Sequence, residues 1–87
     1  MTIWKIEIPC SDEFVLELPK GAEFLAVQAQ RDVPQTWWRV DPTALKESRA
    51  FFLHGTGHEV NATCAHLGSF QMHTGALVFH LFEKSDS

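Results

Sequence analysis

The sequence lacks the features that most simply announce a function. It has no CxxC pair and only two cysteines, Cys10 and Cys64. A structural zinc site or a disulfide framework is therefore not expected, and two free thiols in a reducing cytoplasm are. It has no basic block: Lys and Arg number 7 against 11 Asp and Glu, for a net charge of −4. Generic DNA or RNA binding needs clustered cations to neutralise phosphates, so it is not expected, whereas a small anion needs only one or two. No apolar run approaches the roughly 20 residues of a membrane span. The start, "MTIWKIEIPC", alternates instead of building the apolar core of a secretory leader. Helical periodicity is almost absent.

What is present is apolar and aromatic. Of 87 residues, 45% are hydrophobic, with seven Phe and three Trp. A domain this small buries only about 60% of its unfolded surface, so part of that apolar area is expected to be covered by a second copy of the chain. Period-two alternation runs through most of the sequence and predicts about seven short strands. In "TIWKIEI", Trp4, Ile6 and Ile8 share a face. "EFVLEL" places Phe14, Leu16 and Leu18 together, and "AEFLAVQAQR" Leu25, Val27 and Ala29. "QTWWRV" (35–40), "RAFFLHGTGHEV" (interrupted by its glycines), "LGSFQMH" and "ALVFHLFE" follow. "PKG", "DVP" and "TG" read as turns, and "NATCAH" as a loop. "DPTALKES" is the one helix-like stretch, with Asp41 as cap and Pro42 at the first position. The expected fold is mainly β: a single antiparallel β-sandwich or barrel-like domain over residues 1–84, with a short helix or helical turn near 42–48 and a flexible tail at 85–87. An α+β roll is the alternative.

All five histidines lie between 54 and 80. "HGTGH" puts His54, Thr56 and His58 on one face if extended. It lacks the ligand number of a zinc site and the lysine and helix of a phosphate loop, so a glycine-broken strand near a pocket is expected. Cys64 beside His66 has nothing to orient an imidazole, and no paired carboxylates are apparent. No catalytic residue, metal or cofactor is therefore assigned. "TWWRV" sends Trp37 and Trp38 to opposite faces, so one enters the core while the other meets a partner or a planar ligand, with Arg39 beside Trp37. Gln71 and His73 share a face of their strand. His80 stands in an apolar strand, as a hydrogen-bonded core histidine would.

Taken together, "IWKIEI", "LPKGAEFLAVQAQ", "FFLHGTGHEV", "LGSFQ" and "GALVFHLFE" resemble a family of bacterial and phage proteins of under a hundred residues. The resemblance covers nearly the whole chain and implies no activity. Compact phage β-proteins include oligomeric sponges that sequester nucleotide-derived host immune signals, and by analogy the expected function is of that kind: a non-catalytic homo-oligomer holding a small anionic nucleotide-like ligand. Trp37 or Trp38 would stack on the base, and Arg39, Lys5 or Lys20 would meet phosphate. His54, Thr56, His58, Gln71 and His73 would donate hydrogen bonds. The alternatives are a factor that inhibits a host protein through an aromatic patch, and a metal-dependent hydrolase using the histidines.

Overall fold

A computed structural model describes residues 1–60 and 64–84. Seven strands form: β1 (Thr2–Glu7), β2 (Glu13–Pro19), β3 (Glu23–Gln30), β4 (Val33–Val40), β5 (Lys46–Gly55), β6 (Cys64–Met72) and β7 (Leu77–Lys84). They make two antiparallel sheets, one ordered β1-β4-β3 and the other β2-β5-β7-β6. The sheets face each other as a sandwich, and alternation along each strand sends one set of side chains between them.

The core follows that alternation. Ile8, Leu18, Val27, Trp38, Val40, Phe51, Leu53, Phe70, Met72 and Leu81 are buried. A chain of rings crosses between the sheets: Phe24 lies edge-on to Trp38, Trp38 edge-on to Phe51, and Phe51 stacks on Phe14. The buried Trp38 indole N–H donates to Thr36 Oγ1 at 2.8 Å, and Thr36 in turn donates to the Ile6 carbonyl at 2.8 Å. That chain satisfies two buried polar groups, as burial requires. At one end of the sandwich, Arg49 lies over the Trp38 ring and makes a two-pronged pair with Glu83, at 2.5 and 2.8 Å. It also donates to the carbonyl of Ala22, in the β2–β3 connection, at 2.6 Å.

The sheets approach most closely along the β3 and β6 edges. Each of these strands carries a bulge, between Phe24 and Ala26 in β3 and between His66 and Gly68 in β6. A bulge bends its strand and sharpens the twist, which turns these two edges toward each other. Gly68 permits the contact: a Cβ there would lie 3.0 Å from Val27 Cγ1.

Several expectations need correction. The β3 bulge makes Phe24, rather than Leu25, the inward partner of Val27 and Ala29; Leu25 is exposed. The stretch 42–48 is not helical. Asp41 Oδ1 accepts from both the backbone N–H and the hydroxyl of Thr43, Ala44 N–H bonds the Asp41 carbonyl, and β5 starts at Lys46. The aspartate thus closes a turn by the same side-chain bonds that would have capped a helix. Among the described residues the one helical turn is instead 3₁₀, at His73–Gly75. Val33 and Pro34 belong to β4, and the hairpin tip is Arg31–Asp32, both at positive φ (53° and 62°), as a type I′ turn demands. Cys64, Ala65 and His66, expected in a loop, begin β6. The expected flexible tail at 85–87 and the first three residues of the "NATCAH" loop lie outside the described residues.

Candidate functional site

The outward positions of each sheet make two separate faces, and the candidate residues divide between them. Trp38 belongs to neither. It is fully buried, so it cannot stack on a ligand. Trp37, its neighbour, points out from the three-stranded sheet and is half-buried. Lys5, its partner across β1, places Nζ 5.8 Å from the Trp37 ring centre and donates to Gln30 Oε1 at 2.5 Å. Arg39 lies on the same face, but its guanidinium is paired with Glu23.

Beside Trp37 lies an open depression of about 630 Å³, lined by Lys5, Glu7, Gln30, Arg31, Val33 and Gln35. Among the described residues, no ion pair engages Lys5 or Arg31. The depression therefore offers two cations, two amides and a carboxylate beside an indole. Gln30, Arg31 and Gln35 escape a reading of the sequence. For Gln30 and Arg31 the signal lies in the "QRDV" turn, whose tip is Arg31–Asp32 and not the following "DVP". Lys20 sits in the β2–β3 turn near Ala22, toward the Arg49 end and away from this depression.

The outer face of the four-stranded sheet is aromatic and imidazole-rich. One row crosses all four strands: Glu13, Phe52, Phe82, His66. The next holds His54, His80 and Ser69. His66 meets Phe82 edge-on at 5.1 Å between ring centres, and His54 meets Phe82 at 5.6 Å. The Ser69 hydroxyl lies 2.9 Å from His80 Nδ1 and 3.4 Å from His66 Nε2, while Thr56 Oγ1 lies 3.2 Å from His80 Nε2. His80 is thus hydrogen-bonded, but on an outer face and not in the core. Its bonds run through hydroxyls, which donate or accept, so either protonation state of the ring can be satisfied.

"HGTGH" ends β5 and turns. His58 N–H bonds the Gly55 carbonyl at 3.1 Å, and Gly57 takes φ +92°, the position at which a type II turn requires glycine. The turn separates the residues expected to share a face. His54 stays on the outer face and Thr56 reaches back to His80, while His58 folds over Gly55, whose N–H donates to its Nδ1 at 3.1 Å. That bond leaves the proton of the neutral ring on Nε2. His58 instead borders a small cavity of about 80 Å³ with Cys10, Asp12 and Phe79. Gln71 lies on the four-stranded face, at the row of Val78. His73, at φ 52°, sits at the β6–β7 tip, where Asp32 Oδ1 accepts its N–H at 2.9 Å.

The expected ligand set therefore does not converge: Trp37 and Arg39 lie on one sheet face, His54, Thr56 and Gln71 on the other, and His58 and His73 at turns. No group of three or more His, Cys, Asp or Glu is arranged to hold a metal ion among the described residues. No helix among them is long and apolar enough to cross a membrane.

A family model for a domain of unknown function, DUF7352, matches residues 1–87. The chain belongs to the DUF7352 family. Searches of curated proteins and of solved structures find no match. For this DUF7352 chain, the described residues offer a ligand or partner two sheet faces.

Proposed function

We propose that this DUF7352 protein is a non-catalytic, self-associating binding module, and that it takes a small nucleotide-derived anion in the depression beside Trp37. The observation that carries the reading is a depression lined by Lys5 and Arg31, neither in an ion pair among the described residues, with Lys5 also lying over the half-buried Trp37 indole. Base stacking on an aromatic side chain is worth about 1–3 kcal/mol, and a phosphate between Lys5 and Arg31 gains charge-assisted hydrogen bonds. Gln35 and Glu7 form the other wall and supply polar groups for a base or ribose edge. Glu7 also repels a long polyanion, which fits a small ligand better than a nucleic acid strand. The family resemblance to phage proteins supports the further step, that holding such a ligand without turning it over withdraws a host signal.

Calorimetry of the folded chain with a panel of cyclic dinucleotides and ADP-ribose derivatives tests this. Binding by at least one, weakened about tenfold or more by Trp37→Ala, Lys5→Ala or Arg31→Gly, is expected. No heat from any member of the panel overturns it.

A further inference from the structure

We infer that the outer face of the four-stranded sheet is a homodimer interface, in which Glu13 of each copy meets His66 of the other and Phe52 meets Phe82. This deepens the self-association part of the proposed function and rests on that part alone. The row across this sheet reads acid, phenyl, phenyl, imidazole: Glu13 on β2, Phe52 on β5, Phe82 on β7, His66 on β6. A two-fold axis running along the strands between β5 and β7 exchanges β2 with β6 and β5 with β7. The row then meets its own reverse. Acid faces imidazole at both rims, and phenyl faces phenyl in the middle.

That pattern is self-complementary, as an isologous interface must be. It also has the anatomy of one, with aromatic groups central and charge at the rim. Aligned packing of two sheets keeps their strands within about 30°, so the same row stays in register. The competing axis, across the strands, lays β2 on β2. It would stack the edge bearing Glu13 and Glu17 on itself, a like-charge arrangement that opposes association. The groups that face this surface are Glu13 and Glu17 from β2, His54 from β5, Cys64 and His66 from β6, and His80 and Lys84 from β7. Glu17 is already hydrogen-bonded by Ser48, and no ion pair engages Glu13 among the described residues.

Size is consistent with a weak, specific dimer. Four strands of about eight residues present a footprint of about 19 by 27 Å. That is about 1,000 Å² for the pair, near the lower bound for a specific contact, and points to micromolar association.

Sedimentation equilibrium of the full chain at pH 6, without ligand, tests the geometry, with far-ultraviolet circular dichroism to confirm folding. The expected result is a dimer of micromolar Kd. Glu13→Lys and His66→Glu each weaken it about tenfold or more, and the combined variant restores it. Mixing the two single variants yields a heterodimer, because the introduced lysine then meets the introduced glutamate while the native Glu13 and His66 of the two chains meet each other. Phe82→Ser gives a folded monomer. A wild-type chain monomeric to high micromolar concentration overturns the inference. So does a dimer indifferent to these substitutions, or single-variant losses that the combined variant fails to recover. A monomeric variant that still binds a nucleotide leaves the site beside Trp37 standing, and a dimer that binds none removes only that site.

Discussion

The Arg49 guanidinium lies 5.0 Å from the centre of the Trp38 ring, spanning from the four-stranded sheet to the three-stranded one. The contact is part of a larger clamp, since the same side chain grips both Glu83 oxygens and the Ala22 carbonyl. Both members of the ion pair are about four-fifths shielded, so water screens the pair only partly. Removing one partner leaves the other charge shielded and uncompensated. Glu83→Gln is expected to lower unfolding free energy by about 1–3 kcal/mol and Arg49→Ala by about 2–4 kcal/mol. The double variant should lose less than the two summed, as groups in one network do. Urea denaturation of the four chains checks this, and full additivity would show that the clamp is not a unit.

Gly68 governs how closely the β3 and β6 edges meet. A Cβ there would stand 3.0 Å from Val27 Cγ1 and 3.7 Å from Phe24 Cζ. Both neighbours are packed side chains, so little can yield. Gly68→Ala should destabilise by about 1–2 kcal/mol and Gly68→Val by more, the usual effect of overpacking. Combined with Val27→Ala, which clears the obstructing methyl, Gly68→Ala should cost much less than alone. A thermodynamic cycle by chemical denaturation measures that coupling.

The strands were legible because alternation survives in nearly all of them. Trp4, Ile6 and Ile8 share an inward face, as do Phe14, Leu16 and Leu18. The bulges were not. Leu25 and Leu67 each add one residue to a strand, and a one-residue offset reverses the faces of everything beyond it. "DPTALKES" misled because Asp-Pro opens turns and helices with the same hydrogen bonds, and nothing local shows whether a helix follows. The candidate site was legible in kind but not in assembly. Period two states that Trp37 and Arg39 share a face; it does not state which strand lies beside them. Only the β1-β4-β3 order brings Lys5 to Trp37, and only the β5-β7-β6 order gathers His54, His80, Ser69 and His66.

The adjacent tryptophans should behave as opposites. Trp38 is fully buried with its N–H bonded to Thr36. Trp38→Ala should cost about 3–5 kcal/mol, enough to unfold a marginal domain of this size. Trp38→Phe, which keeps much of the volume but loses the donor, should cost less and leave a folded chain. Trp37→Ala removes a half-buried ring on an outer face, with Lys5 over it, so the loss should be smaller than for Trp38→Ala, about 1–2 kcal/mol. Thermal unfolding of the three variants provides the comparison. In acrylamide quenching, the Trp37→Ala chain should retain the fully shielded Trp38 emission, whereas Trp38→Phe should leave only the more accessible emission of Trp4 and Trp37.

Asp41 gives a pH-dependent test. Its carboxyl is held below the ordinary aspartate value, first by the Thr43 hydroxyl and then by the Thr43 backbone N–H. Both donors favour the charged form. A carboxyl depressed in the folded state contributes stability that is present above its unfolded value and is lost as pH falls through the folded value. Thr43→Val removes the larger cause and keeps the backbone donor. The Asp41 carboxyl should then titrate at higher pH than in the native chain while remaining somewhat depressed. Carbon-detected NMR titration of the side-chain carboxyl reads this directly. In parallel, the fall in stability on acidification should be shallower for Thr43→Val, because less folded-state preference for the carboxylate remains to be lost. An unchanged titration would mean that the hydroxyl does not set the Asp41 charge in solution.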